Sequence, residues 1–330
     1  MPENPRYFNV SEGWYETPTN LIEHPAKIAV VMATFVRKGQ IEDVGGRRRN
    51  KEHIGKDSEY IRFTENKLDL IKFHLACLEH YDAGIDYELI IVDNSTDDEE
   101  SAIFLKDYCE KKGIQFIQRP NTGFSFGAYN HIWKLFGKKY DYYLFHEQDI
   151  VPCKDGWLKE ILLKFMSDRH IGAVGNVLEG YRGKDYFVNW GSFKSELLGE
   201  YLRSPNFRQC NLDGAFMFTS SRILEECGLQ VIEMKLEAKE NYESWNETPG
   251  LNELFWQHHI LDKGYKLSSF GHNGKPDDVN YLFTNGIQYV DFGILDKLSN
   301  SQLAPMIHGQ TLYCNKRMRK HFSWYNLKDF

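Results

Sequence analysis

The sequence lacks the marks of a membrane-spanning, secreted or nucleic-acid-binding chain. Its longest apolar run, Ile28 to Val36, is far shorter than the about 20 residues that a transmembrane helix needs. Residues 1–20 contain no cationic start followed by an apolar stretch, so we expect no signal peptide. Acidic residues outnumber basic ones by 47 to 40, and the net charge of −7 argues against nucleic acid as a partner.

Cysteine pairs and glycine-rich phosphate motifs are missing as well. The six cysteines form no CxxC pair, and five of them lie among apolar or helical residues. This pattern favours reduced, buried thiols over disulfides or a zinc site, and it predicts a reducing, cytoplasmic location. Neither GxGxxG nor GxxxxGKS/T occurs, so we expect phosphates to be neutralised by something other than a glycine cradle. The cysteines are Cys77, Cys109, Cys153, Cys210, Cys227 and Cys314.

The chain does have an ordinary globular composition, with 42% hydrophobic and 26% charged residues over 330 positions. Short β-branched runs alternate with segments of helical period, which predicts βαβ units. We therefore expect an α/β fold: a mostly parallel central sheet flanked by helices, in a single domain with an irregular C-terminal portion. Strands are predicted at 27–34, 88–92, 114–118, 142–145, 171–175, 215–219 and 266–270, and helices at 65–81, from Asp97 or Asp98 to Gly113, and at 124–136, 157–166, 222–227 and 251–263.

Polar clusters follow the predicted strands, at the edge where ligands of parallel sheets bind. The first is the run 93–98, in which a carboxylate can accept hydrogen bonds from a base or a ribose. Capping of the next helix is an equally good interpretation of this run. The second is the run 119–130, where Gly123, Gly127 and Ala128 allow close backbone approach and a helix start that favours anions.

The third cluster is the acidic triplet Glu147-Gln148-Asp149 after the fourth strand. Two carboxylates at positions i and i+2 converge on one cation if the chain bends between them. Mg²⁺ and Mn²⁺ prefer such oxygen ligands, and either ion would neutralise the charge of a departing diphosphate. Two solvated acids at a strand exit are the alternative interpretation.

Taken in chain order, these pieces resemble family 2 glycosyltransferases of the GT-A fold, over residues 27 to 270. The pieces are Asp93-Asn94-Ser95, Asn121-x-Gly123 with Asn130, the acidic triplet, Gly156-Trp157-Leu158, Gly214-Ala215-Phe216-Met217 and Asn252-Glu253. The resemblance implies an inverting, nucleotide-sugar-dependent hexosyl transfer assisted by Mn²⁺ or Mg²⁺, with a role in polysaccharide biosynthesis. The implied acceptor is a hydroxyl of a saccharide or a lipid-linked saccharide.

The resemblance also implies roles for individual residues. Thr34, Asp93 and Asn94 would line the nucleoside pocket, with Asn121 and Gly123 near it. Glu147 and Asp149 would replace the DxD metal motif, Glu253 would be the catalytic base, and His308 would be a further metal or phosphate ligand.

The sequence departs from the family pattern in two motifs. The triplet is Glu-Gln-Asp where the family has DxD, and Asn252-Glu253 replaces a Glu-Asp pair. A catalytically inactive, glycosyltransferase-like binding scaffold is therefore an alternative. A sugar-phosphate nucleotidyltransferase ranks last, because it would need a glycine-rich basic loop where Thr34-Phe35-Val36 stands.

The domain organisation expected from the sequence is simple. Residues 1–26 are an N-terminal extension, 27–300 the transferase domain and 301–330 a C-terminal tail. Within the domain, 27–150 would bind the nucleotide and 151–300 the acceptor. The basic run 316–320 suggests peripheral contact with the inner face of a membrane, with a solvated tail as the alternative.

Overall fold

The computed structural model describes residues 26–36, 67–148, 150–175, 178–179, 211–212, 216–229, 252, 255–257, 259–269, 305–308 and 320–325. Asp149, Glu253, Cys210 and Cys314 lie outside these residues, as does the side chain of His308. The division into an extension, a transferase domain and a tail stays a prediction.

Strands and helices alternate through the first half of the chain. The described strands are β1 (Ile28–Thr34), β2 (Glu88–Asp93), β3 (Gln115–Gln118), β4 (Tyr142–Glu147), β5 (Ile150–Pro152), β6 (Ile171–Gly175), β7 (Leu178–Glu179), β8 (Asn211–Leu212), β9 (Phe216–Ser220), β10 (Lys266–Ser269) and β11 (Met306–His308). The described helices are α1 (Lys67–His80), α2 (Glu99–Lys112), α3 (Phe124–Phe136), α4 (Trp157–Met166) and α5 (Ser221–Cys227), with a 3-10 turn at Gly137–Lys139. Residues 252, 255–257 and 259–262 are also helical.

Seven of the strands form one sheet, in the order β10-β6-β9-β4-β1-β2-β3. Within this described sheet, β9 runs antiparallel to its neighbours β4 and β6, and the other pairings are parallel. The mostly parallel α/β sheet expected from the sequence is confirmed. Short antiparallel pairs, β5 with β11 and β7 with β8, were not predicted.

The core lies on both faces of the sheet. Alternate residues of β1 face opposite ways: Ile28, Val30 and Met32 pack on one side with α1, α2 and α4. Ala29, Val31 and Ala33 pack on the other side with α3, α5 and the helical residues around Trp256. All seven residues of β1 are buried, as its continuous apolar sequence predicts.

The structure confirms the residues predicted to begin and end helix α2. The Asp98 carboxylate accepts a hydrogen bond from the Ser101 backbone N–H at 3.0 Å, so Asp98, one of the two predicted candidates, caps α2. Gly113 ends this helix with φ of 65°, the left-handed conformation that glycine adopts readily.

Helix α1 packs against the sheet and also against residues near the other end of the chain. The helix predicted at 65–81 is present at Lys67–His80, and Ile71, Phe73 and Leu75 are all buried. Phe73 packs against Phe322, with ring centroids 5.4 Å apart. Trp324 stacks on His80 at 3.7 Å. Residues 320–325 therefore cover one face of α1, in addition to the face that packs on the sheet.

None of the helices in the described parts of the chain has the length and hydrophobicity that a bilayer crossing requires.

Candidate active site at the carboxyl edge of the sheet

Three strand ends meet at one edge of the sheet. Thr34 of β1 is in register with Asp93 of β2, and Ala33 is in register with Glu147 of β4. Asp93 is in turn in register with Gln118 of β3. The parallel topology therefore brings Thr34, Asp93 and Glu147, which are far apart in sequence, to a common rim.

The Asp93 carboxylate is fully buried and bonded within the protein. It accepts hydrogen bonds from the Thr96 backbone N–H at 3.1 Å, from the Thr96 hydroxyl and from the Gln118 side-chain amide at 3.1 Å. The Thr96 hydroxyl oxygen also accepts from the Val36 N–H at 3.1 Å. These bonds stabilise the loop after β2, and the cap of the next helix is Asp98.

Buried Arg119 connects the two loops predicted to line the nucleoside pocket. Its guanidinium donates to the side-chain oxygen of Asn94 and to Thr122, at 2.8 Å to the carbonyl and 2.9 Å to the hydroxyl. The Asn94 amide donates in turn to the carbonyl of Phe124 at 3.3 Å. Sequence reasoning assigned no role to Arg119.

Partial desolvation, with repulsion from Arg119 and Lys134, lowers the pKa of His131 on α3.

The loop entering α3 is built on close backbone contacts. Gly123 precedes the helix with φ of 74°, and Asn121 is half-buried. A Cβ on Gly127 would lie 1.9 Å from the carbonyl oxygen of Thr122, which leaves no room for a side chain. The predicted close backbone approach at Gly127 is confirmed.

Glu147 is the last residue of β4, two residues beyond the predicted end of that strand. Its Oε1 accepts a hydrogen bond of 2.5 Å from the hydroxyl of Ser125, in the first turn of α3. The Gln148 side-chain amide pairs with the backbone of Phe35, with Oε1 accepting from the N–H at 3.0 Å and Nε2 donating to the carbonyl at 3.3 Å. The carbonyl of Gln148 accepts from Nδ1 of His74 at 2.8 Å. Three separate elements therefore contact the first two residues of the triplet.

The pairing of β11 with β5 places the backbone of His308 next to the end of the acidic triplet. His308 is in register with Ile150 of β5, the residue that follows Asp149. Sequence reasoning named His308 but did not predict the pairing of β11 with β5. Its role as a ligand stays a prediction.

The predicted base, Glu253, lies outside the described residues, between helical positions 252 and 255–257. Asn252, where the family has an acid, is fully buried. Gln257 holds the same helical segment against β8, since its amide pairs with both the N–H and the carbonyl of Leu212.

The residues at the rim are suited to a hard divalent cation. Glu147 supplies a half-buried carboxylate, and the sequence places a second one two residues later. Oxygen donors of this kind are those that Mg²⁺ and Mn²⁺ prefer. Among the side chains that the structure describes, no three His, Cys, Asp or Glu residues form a complete metal cluster.

Residues 63–221 match the family model for glycosyl transferase family 2. This part of the chain is similar to glycosyl transferase family 2, as the resemblance of its motifs implies. The match extends from just before α1 to the start of α5, so it includes Asp93, the α3 entry loop and the acidic triplet. Thr34, Glu253 and His308 lie beyond it.

Solved glycosyltransferase structures are similar to this chain at low sequence identity. One is a mannosyltransferase from Pyrobaculum calidifontis in complex with GDP-Man and Mn²⁺, which is 12% identical to this chain with a TM-score of 0.43. The alignment covers 94% of this chain and 76% of the mannosyltransferase chain. Glucosyl-3-phosphoglycerate synthase from Mycobacterium tuberculosis, in complex with Mn²⁺, UDP and glucosyl-3-phosphoglycerate, is 16% identical with a TM-score of 0.39, covering 74% and 69%. No curated protein sequence is significantly similar to this chain.

Proposed function

We propose that this glycosyltransferase uses Mn²⁺ or Mg²⁺ to move a sugar, with inversion, from a nucleotide-sugar donor to a hydroxyl of a saccharide or lipid-linked saccharide. The observation that carries the proposal is the position of Glu147. Its carboxylate ends β4 at the rim where β1 and β2 also end, and Ser125 orients it. Ligands of parallel sheets bind beyond this edge.

The proposed chemistry divides between the rim and the helical segment near residue 252. A cation bound by Glu147 and Asp149, with His308 as a further ligand, would neutralise the charge that develops on the leaving diphosphate. Thr34, Asp93, Asn94, Asn121 and Gly123 would shape the nucleoside side of the pocket. Glu253 would remove the acceptor proton while the nucleoside diphosphate leaves from the opposite face.

Bonds at the end of β1 support a transferase over a nucleotidyltransferase. The backbone N–H groups of Phe35 and Val36 donate to Gln148 and Thr96 at 3.0 and 3.1 Å. A phosphate loop at this point would need such N–H groups to be directed at the ligand. Here they hold the rim together instead.

The proposal is tested with the full chain and a panel of UDP- and GDP-sugars. We expect one donor to raise the melting temperature when Mn²⁺ is present and to release nucleoside diphosphate during turnover. Asp149→Ala should abolish both effects, while Asp107→Ala, at an exposed carboxylate of α2, should change neither. Normal turnover by Asp149→Ala would contradict the metal assignment. Donor binding without turnover across the panel would instead indicate the binding scaffold.

A further inference from the structure

The middle residue of the acidic triplet directs its side chain to the protein and not to the predicted ligand. The planar amide of Gln148 makes two hydrogen bonds with Phe35, one to each of its backbone groups. The last backbone pair between β1 and β4 is Ala33 with Glu147. Beyond this pair, the side-chain amide of Gln148, and not its backbone, bonds to the chain that follows β1.

The backbone carbonyl groups of Glu147 and Gln148 contact two buried histidines. Nδ1 of His74 lies 2.8 Å from the carbonyl oxygen of Gln148, and Nδ1 of His146 lies 3.2 Å from that of Glu147. Because a carbonyl oxygen only accepts, both Nδ1 atoms carry the proton. The two rings are fully buried, with centroids 4.9 Å apart.

We propose that Gln148 is a positioning residue for the cation, which it does not itself bind. It fixes the chain at position 148 through the two bonds of its side chain to Phe35 and through the bond of its carbonyl oxygen to His74. This inference rests on the proposed function, since it assumes that the flanking carboxylates bind the ion. Cations such as Mg²⁺ demand nearly ideal ligand geometry, so a turn that moves would bind them less tightly.

The chain offers a matched control for Gln148. Gln257 is also an amide side chain that pairs with both backbone groups of a single residue, Leu212, but it lies on the segment near residue 252. Methionine is close to glutamine in length and flexibility but makes neither hydrogen bond. Gln148→Met and Gln257→Met each remove one pair of hydrogen bonds between a side-chain amide and the backbone of a single residue. Both variants should therefore lose stability.

The experiment measures Mn²⁺ affinity from the electron paramagnetic resonance of free Mn²⁺. Mn²⁺ is titrated into the full chain with UDP, GDP, CDP or ADP present, well below the melting temperature of each variant. We expect Gln148→Met to weaken Mn²⁺ binding about 10- to 100-fold, the usual effect of losing a residue that orients a metal ligand. Gln257→Met should bind Mn²⁺ like the wild type.

A second pair of variants covers the case in which Gln148→Met does not fold. His74→Leu removes the bond to the Gln148 carbonyl, whereas the side-chain amide introduced by His74→Asn would place a donor nitrogen near the position of Nδ1. We expect weak Mn²⁺ binding for His74→Leu and recovery for His74→Asn. Wild-type affinity in folded Gln148→Met or His74→Leu would overturn this inference alone. A wild-type protein that binds no Mn²⁺ with any nucleotide would overturn the proposed function as well.

Discussion

Ser125 donates a 2.5 Å hydrogen bond from its hydroxyl to Oε1 of Glu147, and this bond joins the first turn of α3 to the end of β4. The two residues are 22 positions apart in sequence. The hydroxyl leaves Glu147 with a defined orientation at the rim, where the proposed cation would bind. A charge-assisted bond of this kind is among the stronger hydrogen bonds in proteins.

Removal of this hydroxyl should weaken the use of the cation without removing a ligand. We expect Ser125→Ala to raise the Mn²⁺ concentration needed for half-maximal turnover about 10-fold, because Glu147 loses its orienting partner. Ser125→Thr, which keeps the hydroxyl, should stay near the wild type. Ser167→Ala removes a bond of similar length to the carbonyl of Lys164, away from the rim, and is the control. An unchanged Mn²⁺ requirement in Ser125→Ala would show that the bond is only structural.

The role of the proposed base is open to a direct test. Glu253→Gln keeps the size of the side chain but cannot take a proton, so we expect normal donor binding and transfer lowered about 10²- to 10⁴-fold. Donor binding is followed by thermal shift and transfer by acceptor product. Asp262→Asn, at an exposed carboxylate of the same helical segment, should transfer normally. If Glu253→Gln transfers at the wild-type rate, another residue is the base.

Much of the fold could be predicted because its signals are local. The continuous apolar run of β1, the Asp98 cap and the Gly113 stop each depend on a few adjacent residues. The same is true of the acidic triplet, whose signal is its place directly after a predicted strand. Strand alternation then determines which ends share an edge of the sheet.

The contacts that orient the site could not be predicted in the same way. Gln148 and Phe35 are 113 positions apart, and His74 and Gln148 are 74 apart. Hydrogen bonds between such distant residues leave no periodic pattern in the sequence. Helix α1 shows the same limit, since its second buried face depends on Phe322 near the other end of the chain. A polar His74 among apolar helix positions was the one local signal of a buried, bonded side chain.

The contact at Gly127 predicts a loss of stability on adding a single methyl group. Alanine in a helix interior is ordinarily favoured over glycine by about 1 kcal/mol. Here the new Cβ would lie 1.9 Å from the Thr122 carbonyl oxygen, a backbone atom that no change of rotamer can move. We expect Gly127→Ala to lower the free energy of unfolding by about 1–3 kcal/mol, measured by urea denaturation. A more stable variant would show that the α3 entry loop is looser than described.

The buried thiols make a final prediction that is independent of the catalytic proposal. Burial raises the pKa of the described cysteines, to about 12 for Cys153 and well above its ordinary value for Cys77. The thiolate is the reactive form, so at about pH 8 both side chains should be almost entirely neutral as well as inaccessible. We expect neither to react with a thiol reagent in the native protein, and both to react once guanidinium has unfolded it. Peptide mass spectrometry after labelling distinguishes them from the other cysteines. Cys153 directly follows β5, and its N–H donates to the carbonyl of Pro305, just before β11. Rapid labelling of Cys153 in the native state would therefore mean that β5 separates from β11 in solution.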